Sequence, residues 1–146
     1  MTLPHCNPDG HLPAGVHRAT LDEVGARFAI TPRRQEQMEA LRRAVKALAS
    51  VPGVKRVYIV GCYASSREPT QDVDLLVILD PPSVPAKDLY TVARMIEVRK
   101  SLRPTVDVSW APETGRGAQI LLQCFQRDKL EHGGGVKGII ELAELA

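Results

Sequence analysis

Apolar residues along this chain switch between helical spacing and unbroken runs, and the switches mark out the elements. Leu21, Val24 and Phe28 recur at helical spacing, and Thr20 with Glu23 has the sequence form of a capping box, so a short helix is expected over 21–29. Thr31-Pro32 opens a second helix, with Thr31 as cap and Pro32 at the first helical position. Met38, Leu41, Val45 and Leu48 form its apolar face, Arg33, Arg34, Arg42, Arg43 and Lys46 read as a solvated basic face, and Pro52-Gly53 ends it. Val54 to Val60 and Val73 to Leu79 are short apolar runs of strand length, the first ending in a turn at Gly61. Asp80-Pro81-Pro82 stops the second, because proline has no N–H to give to a ladder.

Another helix is expected to begin at 83–85, with Leu89, Val92 and Ile96 as its inward stripe, and to break at Arg103-Pro104. Residues 105–110 alternate as a short strand, Gly117 to Phe125 reads as helical, and 136–142 reads as an edge strand. Residues 1–18 carry Pro4, His5, His11 and Pro13 and read as an extended arm, loose or draped, which leaves 19–146 as one domain.

Composition narrows the class. A chain of 146 residues with 44% apolar and 25% charged residues can bury one ordinary core, and 4% aromatics means that core is mostly Val, Leu, Ile and Ala. The formal charge of +2 neither requires nor excludes a nucleic-acid partner. No apolar run approaches the roughly 20 residues that cross a bilayer, and the first residues lack the basic start and apolar stretch of a signal peptide. Cys6, Cys62 and Cys124 have no metal-ligand spacing and read as reduced thiols, which points to a cytoplasmic protein.

Three aspartates carry the candidate chemistry. Asp72 and Asp74 open a strand two residues apart, so both face one side of it. Asp107 lies mid-strand between Val106 and Val108; if its strand pairs beside the first, it reaches the same spot across about 4.8 Å. Like charges held together are costly, and a hard divalent cation such as Mg²⁺, or Mn²⁺, removes that cost while leaving coordination positions for phosphate oxygens. Asp107 is also suited to accept a proton as general base. Upstream, the glycine turn at Gly61 lets backbone approach a phosphate closely, and Cys62 to Ser66 read as the start of a short helix. Ser65, Ser66 and Arg67 lie where hydroxyl and guanidinium groups could reach the β- and γ-phosphates of a nucleoside triphosphate.

Gly61-Cys62, nine residues, Asp72-Val73-Asp74 and then Asp107 on a later strand together resemble the DNA polymerase beta-like nucleotidyltransferase superfamily, and most of all its small bacterial members, the minimal nucleotidyltransferases. Residues 12–30, and the stretch from Phe125-Gln126-Arg127-Asp128 to Lys137-Gly138-Ile139-Ile140, resemble a poorly characterised bacterial subgroup. The resemblance implies an α/β (α+β) nucleotidyltransferase fold: a short mixed sheet of three to five strands with helices packed mainly on one side. It implies Asp72, Asp74 and Asp107 as metal ligands, and Gly61 with position 62 as the triphosphate-binding turn. It further implies Mg²⁺-dependent transfer of a nucleoside monophosphate from an NTP to a hydroxyl on a protein or RNA, with a ribonuclease-type toxin of a toxin–antitoxin pair among the acceptors. Cys62 stands where the family has serine, and a thiol is the weaker hydrogen-bonding group. That departure motivates an alternative expectation, a catalytically weak module that binds and silences a partner protein. A metal-dependent phosphohydrolase is disfavoured, because no His/Asp cluster accompanies the acids.

Overall fold

The computed structural model describes residues 3–66, 72–80, 85–114, 116–127 and 137–145. Its elements run β1 (Val16–Ala19), α1 (Leu21–Phe28), α2 (Pro32–Ala49), β2 (Val54–Val60), a single 3-10 turn (Gly61–Ala64), β3 (Val73–Leu79), α3 (Pro85–Leu102), β4 (Val106–Pro112), α4 (Gly117–Phe125) and β5 (Ile139–Leu142). The five strands form one mixed sheet in the order β1-β5-β2-β3-β4. β2 runs antiparallel to both its neighbours, while β1–β5 and β3–β4 are parallel pairs.

Strand alternation sorts the apolar side chains into two layers. Val57 and Ile59 of β2, Val73, Leu75 and Val77 of β3, and Val106 and Val108 of β4 pack with α1, α2 and α3. Tyr58, Val60, Leu76, Ile78, Ala111 and Ile139 face the other way, under Ala118, Leu121, Leu122 and Phe125 of α4. The result is a mixed α/β architecture in which, among the described residues, three helices lie on one face of the sheet and one on the other. No helix among the described residues is long and apolar enough to cross a membrane.

Local signals formed most elements as expected. The Thr20 hydroxyl accepts from the Glu23 N–H at 3.2 Å while Glu23 accepts from the Thr20 N–H, the reciprocal capping box. Thr31 caps α2 ahead of Pro32, and Met38, Leu41, Val45 and Leu48 are all buried.

Four expectations are corrected. The inward stripe of α3 is Met95 and Val98, with Leu102 partly buried; Ile96 is exposed, and the Leu89 side chain lies outside the described residues. The helix presents the face that meets α2 and β4, which its several apolar residues left ambiguous. Arg34 does not belong to a solvated face, because it is buried. Residues 3–19 are not a loose arm: Leu3 and Leu12 are core residues, and Val16–Ala19 is a strand that pairs with β5 in the register Val16↔Ile139 to Ala19↔Leu142. For the same reason β5 is no edge strand, since β1 covers one side of it and β2 the other. Position 136 lies outside the described residues, as do 81–84 at the expected start of α3.

Candidate active site

At one end of the sheet, three strand termini meet. β2 finishes at Val60, which pairs with Asp74, and β3 and β4 begin there in the parallel register Val73↔Val106, Asp74↔Asp107. Asp74 precedes Leu76 by two residues, and Asp107 precedes Ala111 by four, so both carboxylates belong to the α4 face of the sheet. Register and parity thus set them side by side on neighbouring strands, about 4.8 Å apart at the backbone. Asp72 has the same parity and sits exposed immediately before β3.

The turn after β2 is shaped around this end. Gly61 has φ +75°, a left-handed conformation that other residues adopt at a cost. A Cβ at that position would lie 2.5 Å from Asp74 Oδ2 and 3.3 Å from its Cγ. The missing side chain is what allows the Asp74 carboxylate to lie against the turn.

Two supports hold the turn from behind. Arg34, only 1% exposed, donates from Nη2 to the Ser65 carbonyl at 2.7 Å and from Nη1 to the Tyr63 carbonyl at 3.4 Å. Its guanidinium carbon lies 5.3 Å from the centroid of the Tyr63 ring and 5.9 Å from that of Phe28. The Tyr63 hydroxyl returns a hydrogen bond to the Arg34 carbonyl at 2.9 Å. Burial pushes the Tyr63 phenol up to about 12, against the opposing pull of the Arg34 charge and, behind it, Arg42. The second support is the N-terminal segment: His11 bridges Ser65, and the Ser66 N–H donates to the Gly10 carbonyl at 2.8 Å.

Asp107 carries a competing partner. Arg103 Nη2 lies 3.5 Å from Asp107 Oδ1, with both side chains half or more exposed. Among the described residues no group of three or more His, Cys, Asp and Glu side chains is gathered closely enough to hold a metal ion. The donor chemistry still suits a hard divalent cation. Two in-register carboxylates and a third of matching parity supply only oxygen ligands, and the bare glycine turn lies directly against one of them.

The structure therefore brings Gly61, Asp74 and Asp107 together and places Asp72 at the rim. Ser65 is fully buried and helps hold the turn; Ser66 is exposed, with its amide and its hydroxyl (3.3 Å) both directed to Gly10. The expected short helix from Cys62 is one 3-10 turn; the Cys62 side chain and Arg67 lie outside the described residues. Trp110 packs on the helical core beneath Arg99, whose guanidinium carbon is 4.7 Å from the ring centroid. Sequence reasoning missed Arg34 and Arg103. The signal for Arg34 was present: positions 34, 38, 41, 45 and 48 share one helical face, so this arginine lies in line with the apolar stripe.

A family model described as a family of unknown function, DUF6932, matches residues 4–143. No curated protein and no solved structure matches the chain.

Proposed function

The chain belongs to the DUF6932 family, and on that premise, which carries no activity with it, we propose that it is a metal-dependent nucleotidyltransferase with a nucleotidyltransferase fold. One observation carries the reading: Asp74 and Asp107 stand in register on one face, and the Gly61 backbone is bare where it meets Asp74. Paired acids beside a glycine turn suit a triphosphate whose charge must be offset while its α-phosphorus is attacked.

In this reading Asp74 and Asp107, with Asp72 at the rim, would hold Mg²⁺ or Mn²⁺. Bound there, the cation would offset phosphate charge and lower the pKa of an attacking hydroxyl. The chain's own residues do the rest. The Gly61 turn receives the phosphates, and Arg34 keeps that turn in place. Asp107 accepts the proton of the acceptor hydroxyl as its oxygen bonds to the α-phosphorus, while the α–β bond breaks and pyrophosphate leaves. For this Asp107 must first release Arg103, whose exposed ion pair is worth at most about 1 kcal/mol. The acceptor classes are a tyrosine or serine of a partner protein, a ribonuclease-type toxin included, and an RNA end. A reducing, cytoplasmic setting suits the free Cys6 and Cys124.

Incubation with labelled NTPs, Mg²⁺ and cell lysate tests this. Wild type should label a discrete acceptor, and Asp74→Asn and Asp107→Asn should not. Labelling that is absent, or indifferent to both substitutions, rejects the reading.

A second reading, a catalytically weak module that binds and silences a partner protein, is favoured by the Arg103–Asp107 pair, which neutralises one of the acids. Calorimetry separates the two. Heat on adding ATP with Mg²⁺ supports the enzyme; no heat, with tight binding to a protein encoded next to this one, supports the module.

A further inference from the structure

We propose that Arg34 is a positioning residue for the nucleotide site, acting on Asp74 through the Gly61 turn without touching substrate. The proposal rests on the nucleotidyltransferase reading of that site and names the group that keeps it assembled.

A guanidinium presents a rigid planar fork of donors, whereas an ammonium is a point charge on a flexible stem. Arg34 uses that fork on two carbonyls of one tight bend, Tyr63 and Ser65, so it fixes both the position and the tilt of the intervening peptides. Peptide planarity propagates this constraint along the backbone. The bend begins at Gly61, where the clearance to Asp74 Oδ2 is too small for a methyl group, so a shift of the turn moves the wall against which the carboxylate rests. Asp74 is in turn the register partner of Asp107. A continuous path therefore runs from a buried cation on α2, through the bend, to the paired acids.

The surroundings fit a precise anchor. Phe28 of α1 and Tyr63 of the turn contribute their ring faces to the guanidinium, and the Tyr63 hydroxyl ties the turn to the Arg34 backbone. Burying a cation is costly unless its donors are satisfied, and here two of them are satisfied by the turn itself. Arg34 occupies the first turn of a helix capped by Thr31, which fixes where its side chain starts.

The test compares wild type, Arg34→Lys and Tyr63→Phe, with Arg42→Ala as a surface control. Circular dichroism establishes folding, amide exchange reads residues 61–66, and calorimetry with ATP and Mn²⁺ reads the site. Arg34→Lys keeps the charge but loses the fork. We expect about tenfold faster exchange across 61–66 and about tenfold weaker ATP–Mn²⁺ binding, with Arg42→Ala unchanged in both. Tyr63→Phe, which removes only the reciprocal hydrogen bond, should shift both readouts in the same direction by less, and it carries the test if Arg34→Lys does not fold. Folded variants with wild-type exchange overturn the proposal. So does faster exchange with undiminished affinity, which would make Arg34 structural only. Wild type that binds no ATP–Mn²⁺ sinks the nucleotide reading and the proposal with it, whereas wild type that binds while the folded variants match it in exchange or in affinity sinks the proposal alone.

Discussion

Gly61 and Asp74 meet so closely that a single methyl group on the glycine would lie 2.5 Å from the Asp74 carboxylate oxygen. Real Cβ atoms do not approach oxygen at that distance, so either the carboxylate or the turn must move. The backbone at Gly61 adds a second obstacle, since φ +75° costs an L-residue about 1–2 kcal/mol. Gly61→Ala should therefore lower stability by about that amount in urea titrations and weaken ATP–Mn²⁺ binding by roughly tenfold or more. A stable, folded Gly61→Ala that binds like wild type would show that the carboxylate's position beside the turn is irrelevant to ligand.

The ion pair between Arg103 and Asp107 makes the opposite prediction. Removing the cation frees a carboxylate, so Arg103→Gln should bind Mn²⁺ more tightly by about two- to fivefold, the range of an exposed pair. The gain should shrink as salt screens the wild-type pair. Stability should stay within about 0.5 kcal/mol of wild type. Weaker Mn²⁺ binding in the variant would mean that Arg103 assists the site rather than competing for it.

Alkaline pH should destabilise the protein in a recognisable window. The Tyr63 phenol is raised from 10.0 to about 12, chiefly by burial, so the folded state holds its proton more tightly than the unfolded chain does. Its contribution is complete below about pH 10 and is lost as pH rises through about 12, which is on the order of 2–3 kcal/mol. The Tyr58 phenol is also raised, by burial first and by the Glu141 carboxylate next, and acts in the same sense. Urea midpoints measured across this range should fall steeply for wild type and less steeply for Tyr63→Phe. Identical slopes would place the alkaline transition elsewhere.

The start of α1 offers a test of local structure alone. Thr20→Ala removes the hydroxyl that accepts from Glu23 N–H and should cost about 1 kcal/mol. The Leu21 N–H also donates to Glu144 Oε2 at 2.8 Å, so the helix start is tied to the far end of the chain. Glu144→Gln should add a smaller loss, readable as a further drop in Tm, and ATP binding should stay unchanged in both variants.

Local chemistry makes much of this molecule legible in its sequence. Caps, prolines and apolar runs announced α1, α2, β2, β3 and β4, because each depends on neighbours within a few residues. That Asp107 could reach Asp72 and Asp74 was legible on the condition that their strands were neighbours; the pairing with Asp74 itself is set by a register that no local signal carries. What stayed hidden depends on distant partners. Val16–Ala19 carries little strand signal of its own and is ordered by Ile139–Leu142. Arg34 looked like one more surface cation, because residue type outweighed its place in the apolar stripe. Ile96 and Met95 are both apolar and adjacent, so periodicity alone did not decide which of them α3 turns inward.

The parallel pairing of β1 with β5 has a consequence for biogenesis. β5 separates β1 from the rest of the sheet, yet it follows the other four described strands in the chain. Until residue 142 has left the ribosome, β1 has no template and the flank of β2 stands open, so a nascent chain carries an incomplete sheet with an unpaired edge. Chaperone demand should therefore be concentrated before residues 139–142 emerge, and a stalled or truncated product ending before Ile139 should be a preferred substrate for degradation.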